Sequence, residues 1–277
     1  HERLIVFVAL ILLYISFTST KRLKIIRSKN KIINDINEEL NAQKQEITDS
    51  INYASRIQNA ILPSPEFIKE CLPESFLFYK PKDIVAGDFY WLEKIGDKLI
   101  FAVADCTGHG VPGAIMSVIC SNALSSAVKE YNLHSPEKIL NKVNDIVKEA
   151  LHNKSDEVRD GMDISLCVWD KTTNNLRFSG AFNPFYYCRN NELNILKADR
   201  MPIGKYIQTE KTFTLQEIEL QKGDVIYLHT DGYPDQFGGI KGKKFKTKQF
   251  RELLLNIHSK TIQNQLSIID STLDNWK

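Results

Sequence analysis

Cysteine is scarce in this 277-residue chain: Cys71, Cys106, Cys120, Cys167 and Cys188 are odd in number and include no CxxC pair. A disulfide-built scaffold is excluded, a reducing compartment fits, and the five read as small buried hydrophobes. Low-complexity tracts and internal repeats are also missing. With 43% hydrophobic and 25% charged side chains, the composition is that of a globular protein and excludes a disordered tail or a collagen-like fibre. Nor is there a strong charge of one sign, since 36 basic and 34 acidic residues leave a formal +2.

One further absence is local. Leu4 to Thr20 carries no ionisable side chain except Tyr14, and Lys21, Arg22, Lys24, Arg27, Lys29 and Lys31 follow with no acid among them. The run approaches the roughly 20 apolar residues a membrane-spanning helix needs. A signal peptide would carry its basic region before the apolar core and a small-residue cleavage site after it, and here the order is reversed. A helix buried in a soluble domain is the remaining alternative. Lys and Arg beside a span favour the cytoplasmic side, so the chain after Lys21 is expected in the cytoplasm at the inner membrane. Lipid headgroups account for the basic cluster, which weakens any case for nucleic acid. A chain that opens on His1 is expected to continue upstream.

Beyond the basic run, Ile26, Ile33, Leu40, Ile47, Ala54 and Ile61 recur every seven residues. They form one seam of a coiled coil, and the complementary seam of Lys29, Ile36, Gln43, Ser50 and Ile57 is mixed. Such a pairing predicts a homodimer whose register or rotation changes at small free-energy cost; a single amphipathic helix packed on its own domain is the alternative. Pro63 and Pro65 end the helix near Leu62. The expected organisation is a transmembrane helix over 1–20, a juxtamembrane segment and signalling helix over 21–62, and a catalytic domain over 63–277.

The texture then changes. SFLFYK, DFYWLEK, KLIFAVAD, DISLCVWD, LRFSGA, PFYYCRN, ELNILK, TFTLQEIEL and DVIYLHT read as strands, with a hairpin at Gly96-Asp97. Helices are predicted from Pro112 to about Tyr131, from Ser135 to His152 and after Thr247. Tight turns between strands and helices grouped in pairs predict an α+β fold with antiparallel sheets flanked by helices.

Three aspartates stand at the ends of this pattern: Asp88 in VAGDFYW, Asp105 in LIFAVADCTGHGVPG and Asp231 in VIYLHTDGYPD. Separated carboxylates without accompanying His/Cys spacing favour a hard, oxygen-liganded ion such as Mg2+ or Mn2+ over zinc. Taken singly, an Asp beside a Gly is usually only a turn. Gly108, His109, Gly110 and Gly113 surround the start of the Pro112 helix, where free N–H groups favour an anion, although glycines before a helix are often a plain connection.

VAGDFYW, DCTGHGVPGAIMS, GMDISLCVWD, AFNPFYY, RMPIG and HTDGYPDQFGG stand in the order and spacing of the SpoIIE-type branch of the metal-dependent PPM serine/threonine protein phosphatases. The stretch from about Glu74 to Lys277 resembles that family, and INYASRIQNAILP looks like the helix preceding such domains in bacterial membrane sensors. The resemblance implies two packed antiparallel sheets between helix pairs. It also implies hydrolysis of phosphoserine or phosphothreonine by water activated between two Mn2+ or Mg2+ ions, without a phosphoenzyme.

By the same resemblance Asp105 bridges the ions with help from the Cys106 carbonyl, Asp231 binds one ion, and Asp88 holds metal-bound waters. His109 stands near a general-acid histidine of some PPM enzymes, with a structural role as the alternative. Asp163 is a further weak-metal candidate or an outward strand residue. Gly108 and Gly110 are placed toward substrate phosphate, as is Lys82 unless it is simply solvated. The implied substrate is a small phosphorylated regulator, of the anti-sigma-factor-antagonist kind. Lys241, Lys243, Lys244 and Lys246 make a second basic patch, a partner contact or a solvated loop.

The family closes with a QxDD-like strand soon after a tryptophan, whereas this sequence stops at Trp276-Lys277, and Asp270 and Asp274 do not match that motif. The expectation is a C-terminally truncated domain, weak or inactive as it stands. A reading of another class is a membrane-anchored pseudophosphatase scaffold. It predicts loss of the metal carboxylates, and Asp88, Asp105 and Asp231 are all retained.

Overall fold

The computed structural model describes residues 2–151, 160–204, 212–239 and 242–277. Helix α1 runs from Glu2 to Ile61, and the chain divides within it into two units at Tyr53 and Ala54. In the first unit the most apolar window has a mean hydropathy of 2.0 with nothing buried. Further along, the heptad residues Ile33, Leu40 and Ile47 are 53%, 59% and 61% exposed, so this part of the seam is uncovered among the described residues.

The second unit begins with the last turns of α1 and continues through α2 (Pro65–Cys71), β1 (Phe89–Ile95), β2 (Lys98–Cys106), α3 (Gly110–Lys129), α4 (Pro136–Ala150) and β3 (Gly161–Asp170). There follow β4 (Asn175–Ala181), β5 (Phe185–Arg189), β6 (Glu192–Leu196), β7 (Ile203–Gly204), β8 (Gln216–Glu219), β9 (Val225–Tyr227), β10 (Phe237–Gly238), β11 (Lys243–Lys244), α5 (Thr247–Ile257) and α6 (Ile262–Trp276). The large sheet has the order β1-β2-β3-β4-β8 with β7 also on β3; the small sheet is β6-β5-β9; β10 and β11 form a separate hairpin. All ladders between these strands are antiparallel.

Period-2 alternation sends the central strands into two cores at once. Ile100, Ala102 and Ala104 of β2, with Met162, Ile164, Leu166 and Val168 of β3, face a cluster completed by α3 and α4. On the opposite face Leu99, Phe101 and Cys167 join Phe185 and partly buried Tyr187 and Ile226 of the small sheet. The small sheet's other face, with Tyr186, Cys188 and Tyr227, packs on Phe250, Leu254 and Ile257 of α5 and Ile269 of α6. The result is helix pair, sheet, sheet, helix pair, as expected. On α4, Ile139, Leu140, Val143 and Val147 recur at helical spacing and are all 0% exposed, each side chain contributing about 1.5–3 kcal/mol of burial. All five cysteines are free and buried.

Three local expectations need correction. SFLFYK forms no strand: residues 75–80 pair with nothing, because Phe76 and Phe78 reach the α5–α6 core directly. Within TFTLQEIEL only Gln216–Glu219 pairs, with β4. Helix α3 starts at Gly110 instead of Pro112; the first four helical N–H groups lack intrahelical acceptors, so proline is tolerated at its third position. Helix α4 is described to Ala150, and its expected end at His152 lies outside the described residues, as does Lys241.

Candidate metal centre

Asp105 and Asp163 are direct partners in the β2–β3 ladder. Like charges directly opposite on adjacent strands destabilise a sheet unless something neutralises them. Asp88 enters from the turn before β1, and Asp231 from the turn that follows β9. Burial, then the neighbouring Asp88 and Asp231 carboxyls, push Asp105 up to about 9. Asp88 is also raised, by burial and then the charge of Asp231, against opposing hydrogen bonds from Thr230 and Asp105. Asp163 is pushed up to about 6 by burial and by Asp231. Asp88, Asp105 and Asp163 are thus raised chiefly by desolvation, and the charge of Asp231 reaches all three, which puts the four carboxyls in one electrostatic cluster.

Several neighbours hold this cluster. Thr230 Oγ1 donates to Asp88 Oδ2 at 2.7 Å, and Tyr79 Oη donates to the Asp88 carbonyl at 3.1 Å. Thr107 Oγ1 donates to Asp160 Oδ1 at 3.0 Å and accepts from Gly161 N–H at 3.1 Å, closing the end of the β2–β3 ladder beside the Asp pair. Asn183 Nδ2 donates to the His229 carbonyl at 2.6 Å, and the buried His229 ring lies between Tyr186 and Phe250, with centroids at 4.6 and 5.0 Å. Burial holds that imidazole below its ordinary pKa, so a neutral ring anchors the segment that leads into Thr230 and Asp231.

The glycines of the two loops are required by backbone approach. A Cβ on Gly87 would stand 2.8 Å from the Gly108 carbonyl oxygen and 2.9 Å from that of Cys106; one on Gly113 would stand 2.5 Å from Gly108 O. The Asp88 turn, the Cys106 carbonyl and the start of α3 are therefore packed backbone to backbone. Gly108 and Gly110 take positive φ of 88° and 61°. His109, the N-cap of α3, makes no side-chain cap hydrogen bond.

The structure brings together Asp88, Asp105, Asp231 and Asp163, with the Cys106 carbonyl and Gly108 against Gly87. It does not bring in His109, whose imidazole is 86% exposed and 3.6 Å from Asp83 Oδ2. Lys82 lies exposed in the bend before Asp88. Sequence reasoning missed Thr230, Asn183 and Thr107. Thr230 and Asn183 sat inside the HTDG and AFNP motifs, which turn out to be hydrogen-bonded to each other.

Among the described residues no group of three or more acidic, His or Cys side chains is arranged to hold a metal ion. The chemistry of the donors nevertheless fits a hard divalent cation: oxygen atoms only, partly desolvated at Asp88, Asp105 and Asp163, mutually repelling, and seated beside a backbone carbonyl.

An αββα sandwich with an aspartate cluster at the strand ends defines a PP2C-type phosphatase fold. Residues 95–276 match the family described as Stage II sporulation protein E (SpoIIE), and the chain belongs to that family of PPM phosphatase domains. The SiaA-PP2C domain of Pseudomonas aeruginosa is 32% identical with a TM-score of 0.77, covering 85% of this chain and 92% of that one. The phosphoserine phosphatase RsbU of Bacillus subtilis is 26% identical over 194 residues, 68% of this chain. The chain spans about half of RsbU's length, 54%. The PP2C phosphatase domain of SpoIIE from Bacillus subtilis, solved with a fragment of its regulatory domain, is 19% identical with a TM-score of 0.54; 70% of this chain and 53% of that chain are covered, a likeness of fold. Relatives of this chain are thus PP2C-type serine/threonine phosphatases.

Proposed function

We propose that this chain is a membrane-anchored, metal-dependent phosphatase that hydrolyses phosphoserine or phosphothreonine in a small regulatory protein. The observation that carries the reading is the convergence of half-buried Asp88, Asp105 and Asp163 with exposed Asp231, from separate elements, into one mutually repelling cluster. Asp105, Asp231 and the Cys106 carbonyl would hold two Mn2+ or Mg2+ ions, with Asp88 supporting their waters. When bound, such ions supply an acidified water as nucleophile and offset charge on the phosphoryl oxygens.

The chain's own residues then have distinct tasks. Thr230 orients Asp88, the Thr107–Asp160 contact holds the Asp105–Asp163 ladder end, and Asn183 fixes the approach to Asp231. The Gly108–Gly110 loop offers N–H groups of the uncapped α3 terminus to substrate phosphate. His109 and Lys82, both exposed, are candidates for a proton donor and a phosphate contact.

The proposed organisation keeps a membrane helix over 1–20, a dimerising signal helix over 21–62 and the phosphatase domain over 63–277, with everything after Lys21 in the cytoplasm. The exposed heptad residues and the apolar window of α1 support it, as does the similarity to phosphatases. An upstream sensor would act by changing the helix pairing.

The test is phosphate release from a phosphoserine protein by the full chain. Weak release with Mn2+ that stops on adding EDTA is expected. Binding of that protein without release would favour the scaffold reading, and neither binding nor release would overturn the proposal.

A further inference from the structure

Phe182 combines two features that folding alone opposes. It takes a positive φ of 51°, rare for an aromatic residue, and it is 45% exposed. The Asn183 N–H donates back to the Ala181 carbonyl at 2.5 Å, so Phe182 is the centre of a γ-turn in its strained, positive-φ form. Both flanks lock the turn. The Phe182 N–H donates to the Asp199 carbonyl at 2.8 Å, Ser165 Oγ donates to the Asn183 carbonyl at 2.8 Å, and Asn183 Nδ2 holds the His229 carbonyl. A Cβ on Gly180 would stand 2.8 Å from the Asn183 carbonyl oxygen, so the chain folds back tightly on its own strand. A conformation over-determined in this way persists against its cost, and such costs concentrate at functional sites.

The ladders set the place of this turn. Ile164 pairs with Ala181 at the end of β4, and the residue before Ile164 is Asp163, itself opposite Asp105. Position 182 is therefore level with both carboxylates, one strand spacing of about 4.8 Å beyond Asp163 and two beyond Asp105. Period-2 alternation also gives it their face of the sheet: Phe101 leads along β2 to Asp105, Cys167 along β3 to Asp163, and Phe178 along β4 to position 182. On the other flank the Asn183 clamp reaches His229, two residues before Asp231. A half-exposed ring is thus held at the rim of the carboxylate cluster, where an apolar group that displaces water from it is favoured.

We infer that Phe182 is a specificity residue for the protein substrate: its ring packs on an apolar side chain flanking the phosphorylated serine or threonine. One to two strand spacings are the span of about one to three residues of an extended peptide, so the contact falls on a near neighbour of the phosphorylated residue. This rests on the phosphatase reading and adds the kind of sequence around the phosphate that the reading leaves open. The plainer alternative is a ring that only covers the end of the inter-sheet core.

The experiment uses the full chain with Mn2+ and synthetic phosphoserine peptides in which a single leucine or a single serine is walked through the flanking positions, with phosphorylated casein alongside as the phosphoserine protein. Wild type is expected to favour leucine over serine at one flanking position by about tenfold in kcat/KM, carried mainly by KM, as for contact with a half-exposed ring. Phe182→Ala should reduce that preference to about twofold or less, and Phe182→Tyr, which keeps the ring, should retain it. Melting temperatures report the strain. Glycine accepts a positive φ and alanine does not, so Phe182→Gly should melt about 2–4 °C above Phe182→Ala. If Phe182→Ala does not fold, Phe182→Gly serves for the peptide comparison.

A leucine preference that survives loss of the ring overturns the inference and leaves the core cover. A wild type without preference at any flanking position overturns it as well. Phe182→Gly melting no higher than Phe182→Ala removes the strained turn and the inference with it. Release from casein but from none of the peptides removes the inference alone, whereas release from neither takes the proposed function with it.

Discussion

Replacing Asp105 by asparagine separates two properties that the cluster opposes to each other. Asp105 is held at about 9 in the fold against an ordinary 3.8, chiefly by burial and then by Asp88 and Asp231. Between those values the metal-free native state keeps a proton that the unfolded chain has released, so stability falls as pH rises across that window. About three units of the shift lie below pH 7, an upper bound of about 4 kcal/mol, and partial exposure with sharing of the proton among the carboxyls brings it to about 2 kcal/mol. Asparagine is neutral and nearly isosteric. In EDTA near pH 7 the Asp105→Asn chain should therefore melt higher than wild type by about 4–8 °C for a domain of this size, and the gain should shrink as pH falls and vanish about a unit below the ordinary 3.8, where wild type is protonated in both states.

With excess Mn2+ the order reverses. Wild type should gain stability by mass action and release phosphate, and the variant should do neither. Tryptophan fluorescence is a convenient probe, because Trp91, Trp169 and Trp276 all lie in the second unit. A lower metal-free melting temperature for Asp105→Asn near pH 7 would refute the reasoning, as would equal stabilisation of both chains by Mn2+.

Much of this was legible because of how the strands are buried. A central strand that serves two cores must be apolar on both faces, and KLIFAVAD and DISLCVWD are; an aspartate closing or opening such a run is conspicuous. SFLFYK carries the same texture for another reason. Phe76 and Phe78 fill the α5–α6 core, and alternation alone records which side chains are buried without recording whether the backbone has a ladder partner. The clamps were not legible at all. Gln58 to Ala86, Asn183 to His229 and Thr230 to Asp88 span 28, 46 and 142 residues, and a polar residue looks the same in sequence whether it meets water or a distant carbonyl. The aspartates could be found from strand ends, whereas the side chains that aim them appear only when the sheets close.

Three further outcomes follow from the geometry. Leu40→Asp, on the exposed heptad seam, should convert a dimeric full chain to monomer in sedimentation, and a wild-type monomer would remove the dimer. Gly161→Ala should cost about 3 kcal/mol in urea unfolding, since its Cβ would lie 1.8 Å from the Ile203 carbonyl and must part β3 from β7. The third concerns Arg189, whose Nε and Nη2 donate to Asp224 at 2.9 and 2.6 Å while Nη2 also reaches the Glu219 carbonyl. Burial would raise the Asp224 carboxyl, but Arg189 and the Gln221 N–H hold it below its ordinary range. A depressed carboxyl contributes stability above its unfolded pKa and loses it as pH falls through the folded one. Arg189→Met should therefore cost about 2 kcal/mol near neutral pH, where Asp224, 5% exposed, is left charged with one remaining donor. Below the folded pKa the two chains should converge, because the protonated carboxyl no longer needs the guanidinium, and a penalty that persists undiminished there would show that Arg189 acts through packing and not through charge.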